Sequence, residues 1–162
     1  MTSSRIDKDV RMRLELESVP GSVALIRSVI GTVARNLGFD RRLADDLRTA
    51  VSEAANNVVL HAYAQGAGPL MFSMAVRRDQ IEAVVRDRGC GMRRVSLSSR
   101  GLGIGVVVIS ALADHAEFQS DELSGTEVRM TFKRPAPVPP SLSRFELGIW
   151  TLADDAQASI AP

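Results

Sequence analysis

The sequence predicts an α/β fold: a two-layer sandwich in which helices cover one face of a mixed, mostly antiparallel sheet. Three observations lead to this prediction. Strand-like and helix-like segments follow one another in the order β-α-α-β-β-loop-α-β-β. The strands come in consecutive pairs joined by short turns, which favours antiparallel pairing. The helical segments are grouped and carry apolar stripes, which a sheet can cover in a two-layer arrangement.

The first half of the chain is predicted to form one strand and two helices. Apolar and charged side chains alternate over residues 10–18, as in a half-buried strand. A Pro-Gly-Ser break ends this strand, and Ser22 is expected to cap a helix over residues 22–37. Asp40 is expected to cap a second, longer helix over residues 40–62.

The second half is predicted to contain four strands and one short helix. Turn-rich or glycine-rich sequence separates these segments. The predicted strands cover residues 70–77, 80–87, 117–120 and 126–134, and the predicted helix covers residues 106–114.

Length favours one domain, with a polar N-terminal segment before it and a Pro-rich tail after it. The chain has 162 residues, enough for a single domain with its own core. We expect a flexible N-terminus over residues 1–9, a folded domain over residues 10–134 and a Pro-rich tail over residues 135–162. The tail carries an apolar patch around Trp150, which suits a linker, a strap on the domain or an interaction segment.

Charge and cysteine content exclude several classes of protein. The formal net charge is +1, so bulk electrostatics give no reason to expect nucleic acid or an anionic membrane as a partner. Cys90 is the only cysteine, which excludes an internal disulfide and a cysteine-based zinc cluster and fits a reducing compartment. The N-terminus has no apolar signal segment, and no apolar run is long enough to span a bilayer. We therefore expect a cytoplasmic protein.

The stretch SEAANNVVLHAY on the second helix carries the first candidate site. Glu53, Asn57 and His61 follow one another at intervals of four residues and stay on one side of a helix. A carboxylate and a carboxamide at this spacing can reach one shared object, such as hydrated Mg²⁺, a hydroxyl or a phosphate. From these residues alone, a solvated polar stripe is the alternative.

The stretch VVRDRGCGM carries the second candidate site. Asp87 ends an apolar strand, and Gly89 and Gly91 follow it. A carboxylate there can accept a hydrogen bond from an exocyclic amine, and the glycines let a base approach the backbone. A strand-end turn that uses Asp and Gly for its geometry is the alternative.

Two further stretches carry glycines next to regular elements. Gly101, Gly103 and Gly105 precede the short helix, where free N–H groups suit phosphate oxygens, and Arg100 adds a positive charge. The spacing fits neither the dinucleotide fingerprint nor a P-loop, and a mobile glycine linker is the alternative. In the stretch SGTEVRMTF, Thr126 at the start of the last strand is placed to bond a nucleotide, or it serves β-propensity alone.

The order of the four stretches carries a family resemblance. Glu-x₃-Asn-x₃-His, Asp-x-Gly-x-Gly, Gly-x-Gly and Gly-Thr follow one another as the N-box and three glycine boxes do in the ATPase superfamily of gyrase, heat-shock chaperones, histidine kinases and MutL. Within this superfamily, SEAANNVVLHAY is similar to the small bacterial anti-sigma-factor serine kinases. The resemblance covers roughly residues 10–134 and implies the Bergerat, or histidine-kinase-like ATPase, fold.

The resemblance implies ATP and Mg²⁺ as cofactors and a role for each matched residue. By similarity, Glu53 is the general base for a serine hydroxyl, Asn57 holds Mg²⁺ against the ATP phosphates, and Asp87 reads the adenine amino group. The remaining matched residues are His61 near the phosphates, Gly89 and Gly91 beside the base, Gly103 and Gly105 in the second glycine box, and Thr126 in the third.

The resemblance also implies partners and an activity. Family members phosphorylate a serine on a single-domain anti-sigma-factor antagonist, and this phosphorylation frees the kinase to bind an alternative sigma factor. We therefore expect an ATP-dependent protein serine kinase and anti-sigma factor that regulates transcription in a stress response. The resemblance implies a homodimer, and the strand over residues 10–18 could lie at an exposed sheet edge that invites pairing; a covered edge within a monomer is the alternative. We expect no direct contact with nucleic acid or membrane.

One departure from the family keeps alternatives open. Only Met92 to Arg100 separate Gly91 from Gly101, whereas the ATP lid of the family is usually much longer. A short lid favours a nucleotide-gated, partner-switching module with little kinase activity. The glycines also resemble those of switch-type kinases that act in stress-response modules. The ATPase half of a histidine kinase would need a preceding helical hairpin with a phosphoacceptor histidine, and the sequence shows none.

Overall fold

The structure is a computed structural model that describes residues 10–91, 102–121 and 124–135, and it confirms the predicted fold class. Five strands form one sheet, and helices pack on one of its faces. The elements are β1 (Val10–Glu17), α1 (Pro20–Asn36), α2 (Arg41–Asn57), a π-helical turn (Val58–Ala62, below the π-turn), β2 (Pro69–Val76), β3 (Gln80–Asp87), α3 (Leu102–Leu112), β4 (His115–Asp121) and β5 (Gly125–Lys133).

The sheet has the strand order β1-β2-β3-β5-β4, so β1 and β4 are its edges. The four pairings between the described strands are all antiparallel. The prediction of a mostly antiparallel sheet is therefore correct, and the parallel pairing that a mixed sheet would contain does not occur among the described strands. One apolar row crosses the whole sheet, because each residue in it lies opposite the next: Leu14, Phe72, Val85, Val128 and Phe118. This row fixes the register, since a shift of one residue would move the apolar side chains of the shifted strand from the core face to the solvent face.

The core lies between the inner face of the sheet and the helices. Alternate residues of β3, beginning with Ile81, are buried and point toward the helices, as period-two alternation requires. From the helical layer, Ile26, Ile30, Leu47 and Val51 are fully buried against them. The opposite face of the sheet is charged.

On that outer face, ion pairs lie along β5 and between β5 and β3. Arg129 of β5 lies 2.8 Å from the Glu127 carboxylate and 3.2 Å from the Glu82 carboxylate of β3. These side chains are half-exposed, so the pairs stabilise the fold only modestly.

The start of α1 differs from the prediction. The helix begins at Pro20 rather than after a Ser22 cap, and Ser22 is buried inside it. Proline is favoured in the first turn of a helix because its fixed φ suits the helix and its missing N–H has no partner to lose there. The end of the helix agrees with the prediction, since Gly38 has a φ of 65° just past it.

The second helix begins as predicted and ends differently. The Asp40 carboxylate accepts a hydrogen bond of 2.8 Å from the Leu43 N–H, which confirms the cap. The predicted single helix over residues 40–62 is α-helical only to Asn57 and continues as the π-turn. Such turns are rare and frequently lie at functional sites.

The third helix begins earlier than predicted. It starts at Leu102, so Gly103 and Gly105 lie inside its first turn rather than before it. The prediction placed the helix by its apolar periodicity, which starts only at Val106. The first turn was missed because it contains glycines, which have a low helix propensity.

The predicted N-terminal segment, residues 1–9, lies outside the described residues, and so does all of the predicted tail except Pro135. Within the described part of the chain, no helix is long and apolar enough to cross a membrane.

Candidate functional site

The polar side of α2 meets the first turn of α3 at one point. A Cβ placed on Gly105 would lie 3.1 Å from Asn57 Nδ2, 3.3 Å from Asn57 Oδ1 and 3.6 Å from Glu53 Oε2. Glu53 and Asn57 are half-buried, while Ala54 and Ala55 beside them are buried in the core. The packing of α2 therefore directs this carboxylate and carboxamide toward the glycine turn of α3.

Among the described glycines of α3, only Gly105 makes this close contact. A Cβ on Gly103 would meet nothing within 4 Å, and the residue is exposed. The first N–H groups of an α-helix have no acceptor within the helix, and donors of this kind suit phosphate oxygens. The predicted phosphate-binding residues Arg100 and Gly101 lie outside the described residues.

His61 lies in the π-turn and is exposed. The main-chain carbonyl of His61 contacts Cys90, whose Sγ atom lies 3.6 Å from His61 O. This contact joins the end of the second helix to the loop after β3. The predicted role of the imidazole at the phosphates stays a prediction.

Asp87 is a buried acid at the end of β3. Only 2% of its surface is exposed. Its Oδ1 atom accepts two main-chain hydrogen bonds, 2.8 Å from the Gly89 N–H and 3.2 Å from the Thr126 N–H. Because N–H donors hold the carboxylate from β5 and from its own turn, its orientation is fixed before any ligand arrives.

The glycines around Asp87 lie where backbones pack against each other. A Cβ on Gly89 would collide with the Ala62 carbonyl, and one on Gly125 would collide with the Asp87 carbonyl. Gly91 has a φ of 70°, and its Cβ would lie 2.7 Å from Asp121 O. These glycines are therefore required by close packing of the chain on itself, which the sequence interpretation did not anticipate. Approach of a base stays a prediction.

Tyr63 is a residue of this site that the sequence interpretation left without a role. Its hydroxyl donates a hydrogen bond of 2.6 Å to Pro69 O and accepts one of 2.9 Å from the Arg88 N–H, directly after Asp87. Its ring lies against Gly68, where a Cβ would overlap the ring atoms. In the sequence, the glycine-rich break after HAY was the feature that could have indicated this packing, since glycine permits such a close approach of a ring.

Burial raises the pKa of the Tyr63 phenol above its ordinary value of 10.0, and the nearby Asp87 charge adds to the increase, although the Arg88 N–H bond opposes it. A raised pKa means that the fold favours the neutral phenol. The associated stabilisation is therefore complete below about pH 10 and is lost as pH rises through the raised pKa.

We expect the tyrosinate absorbance of the folded protein to titrate above the midpoint of a short unfolded peptide that carries the same tyrosine. The chain contains one tyrosine, so the signal belongs to Tyr63 alone. A midpoint at or below that of the peptide would show that the phenol is not buried as described.

The residues present fit Mg²⁺ and a nucleotide. No group of three His, Cys, Asp or Glu residues suited to a metal occurs within residues 10–91, 102–121 and 124–135. Mg²⁺ keeps several waters and needs only one or two protein oxygens beside phosphate oxygens, and Asn57 and Glu53 offer such oxygens at one point. The buried Asp87 carboxylate suits an amino group at the other end of the site.

One family model matches most of the chain. The model described as the histidine kinase-like ATPase domain matches residues 16–132, which include the described Glu53, Asn57, Asp87 and Gly105. Among curated proteins, the chain is 27% identical over 140 residues to the serine-protein kinase RsbW of Bacillus mycoides. That match covers 78% of this chain and 86% of the relative. The RsbW of Bacillus cereus strain G9842 is 27% identical over 135 residues, with 75% and 83% covered.

Two solved structures share the fold. The crystal structure of the RsbU and RsbW domains of a Mycobacterium tuberculosis protein matches with a TM-score of 0.62 at 23% identity, over 78% of this chain and 33% of that one. The histidine kinase domain of a blue-light activated histidine kinase from Erythrobacter litoralis matches with a TM-score of 0.50 at 17% identity, over 69% and 59%. These matches and the family model confirm the predicted resemblance: the chain belongs to the histidine kinase-like ATPase domain family.

Proposed function

We propose that the chain is an ATP-dependent protein serine kinase that also acts as an anti-sigma factor. Its substrate would be a serine of an anti-sigma-factor antagonist, and its second partner an alternative sigma factor. The observation that carries the proposal is the meeting of Glu53, Asn57 and the Gly105 turn at one point. The similarity to serine-protein kinases named RsbW supports the same activity.

Each residue of this point suits one task in phosphate transfer. Glu53 is a half-buried carboxylate with no ion pair among the described residues, so it is available to accept the proton of a seryl hydroxyl. The Asn57 side-chain carbonyl suits a hydrated Mg²⁺. The N–H groups of the first turn of α3 suit phosphate oxygens. When bound, ATP would supply the γ-phosphoryl group and Mg²⁺ would neutralise part of its charge, while positioning by the protein would do most of the remaining work.

At the other end of the site, Asp87 is proposed to accept a hydrogen bond from the adenine amino group. The two N–H donors on its Oδ1 support this role, because they fix the carboxylate without a counter-charge. Thr126 joins the site through its N–H, and its hydroxyl lies 3.3 Å from Ser120 Oγ. A direct bond from that hydroxyl to nucleotide is part of the proposal.

Transfer of labelled phosphate tests this function. The full chain is incubated with γ-labelled ATP, Mg²⁺ and a candidate antagonist from the same genome. We expect label on a serine of the antagonist and none when that serine is replaced by alanine. No transfer to any antagonist, despite measurable ATP binding, would contradict the kinase proposal.

Two alanine variants, one at each described glycine of α3, should separate the effect of the Gly105 contact with Asn57 from the effect of helix propensity. Gly105→Ala places a methyl group 3.1 Å from Asn57, so the carboxamide must shift, and we expect transfer to fall about tenfold. Gly103→Ala meets open space and adds helix propensity of up to about 1 kcal/mol, so its effect on transfer should be smaller. The measurement is transfer rate together with thermal stability. Equal losses in both variants would contradict the assigned contact.

A second candidate function is a nucleotide-gated binding module with little kinase activity. The sequence favours it because only Met92 to Arg100 separate the first and second glycine boxes. In this case ATP or ADP would change the affinity for the partner protein. Partner binding that depends on nucleotide, without transfer of label, would support this function over the kinase.

The cellular setting remains part of the proposal. The predicted domain boundaries (residues 1–9, 10–134 and 135–162), the cytoplasmic location, the role in a stress response and the homodimer are all expectations. β1 lies at an edge of the sheet formed by the described strands, as predicted, and a sheet edge suits pairing with a second copy.

A further inference from the structure

The end of the π-turn is attached to the loop after β3 through four adjacent contacts. The Cys90 N–H donates a hydrogen bond of 2.9 Å to Ala62 O, and Cys90 Sγ lies 3.6 Å from His61 O. Gly89 lies against Ala62 so closely that a Cβ would not fit. The fourth contact is the Arg88 N–H bond to the Tyr63 hydroxyl. The last carbonyls of a helix need partners, and here the loop that follows Asp87 supplies them.

In these contacts, His61 and Ala62 contribute main-chain carbonyls to the hydrogen bonds, whereas Tyr63 contributes its side-chain hydroxyl. The hydroxyl bridges Arg88 N–H and Pro69 O, so it connects the end of β3 to the start of β2. The ring is held against Gly68, which is itself fixed by two hydrogen bonds with Ser18, of 2.8 and 3.0 Å. The phenol therefore has little freedom to move away.

We propose that Tyr63 is a positioning residue for base recognition, which holds the Arg88 main chain so that Asp87 presents its carboxylate to the amino group of adenine. The inference rests on the proposed nucleotide binding. Arg88 directly follows Asp87, and the Gly89 N–H beyond it binds Oδ1 of Asp87, so any shift of this turn moves the carboxylate. Because the π-turn continues α2, the same attachment links the base end of the site to Glu53 and Asn57.

Tyr63→Phe isolates the hydroxyl. The ring can keep its packing on Gly68, but the Arg88 N–H and Pro69 O lose their shared partner. A lost pair of hydrogen bonds at this turn is expected to weaken ADP binding about tenfold. Inosine diphosphate has no exocyclic amino group on its base, so we expect it to bind the wild type more weakly than ADP and to be little affected by the substitution. The preference for ADP over inosine diphosphate should therefore fall in Tyr63→Phe.

The experiment measures ADP and inosine diphosphate binding by calorimetry, in the presence of Mg²⁺, for the wild type, Tyr63→Phe and a control. The control, Thr32→Val, removes an exposed hydroxyl that bonds only within α1 and should leave both affinities unchanged. Hydrogen exchange of the Arg88 amide provides a second readout and should accelerate in Tyr63→Phe.

If Tyr63→Phe does not fold, hydrogen exchange of the Arg88 amide in the wild type replaces it: ADP should slow this exchange more than inosine diphosphate does, and equal exchange with the two nucleotides would overturn the inference. A variant that loses stability but keeps the wild-type preference for ADP would overturn the inference, since the tyrosine would then be structural only. Failure of the wild type to bind ADP at all would instead contradict the proposed function, so the two failures are distinguishable.

Discussion

Replacing Glu53 by glutamine is expected to lower phosphate transfer about 10²- to 10⁴-fold while nucleotide affinity changes little, because the variant keeps the size of the side chain but loses the proton acceptor. Its contact with the Gly105 turn can be kept. The measurement combines single-turnover transfer to the antagonist with a calorimetric titration of ADP, which separates chemistry from binding.

The control for this variant is Glu117→Gln. Glu117 is an exposed glutamate on β4 that lies 3.0 Å from His115, away from Glu53 and Asn57, so transfer should be unchanged. Transfer by Glu53→Gln at the wild-type rate would remove the general base from the mechanism. Loss of both transfer and ADP binding would mean that Glu53 acts in binding instead.

Replacing Asp87 by asparagine is expected to weaken ADP binding about 100-fold. The carbonyl oxygen of asparagine can still accept the bonds from Gly89 and Thr126, but the amide then turns an N–H donor toward the amino group of adenine. Two charge-assisted bonds become neutral ones, so we also expect the free energy of unfolding to fall by about 1–2 kcal/mol. Calorimetry and denaturant unfolding measure the two effects.

Asp114→Asn is the matched control for the Asp87 variant. Asp114 also accepts a main-chain hydrogen bond, 2.7 Å from the Lys133 N–H, but it is exposed and lies at the other end of β5. Its replacement should leave ADP affinity unchanged. Wild-type affinity in Asp87→Asn would contradict the assignment of this carboxylate to the base.

Much of the fold could be predicted because periodicity and capping agree along the chain. Alternation predicts the strand over residues 10–18, which the structure has at Val10–Glu17, and a capping side chain predicts the cap at Asp40. The misplaced boundaries are those where two local signals compete. At the start of α1 a proline was favoured over a serine cap, and in α3 glycines hid the first helical turn.

The candidate site was only partly predictable. Spacing on one helix was enough to group Glu53 with Asn57, which both lie near Gly105. Their link with Asp87 follows from the family resemblance and stays a prediction. The packing of Gly89 against Ala62 and the hydroxyl bridge of Tyr63 depend on contacts between residues distant in sequence. No local pattern encodes the π-turn, because the bonds that fix its end come from the loop after β3.

A crystal structure of the chain with Mg²⁺ and a non-hydrolysable ATP analogue tests the central claim most directly. We predict electron density for adenine within hydrogen-bond distance of the Asp87 carboxylate, for Mg²⁺ beside the Asn57 carbonyl, and for the γ-phosphate facing Glu53. Nucleotide bound elsewhere on the chain, or its absence from crystals grown at millimolar nucleotide, would contradict the account.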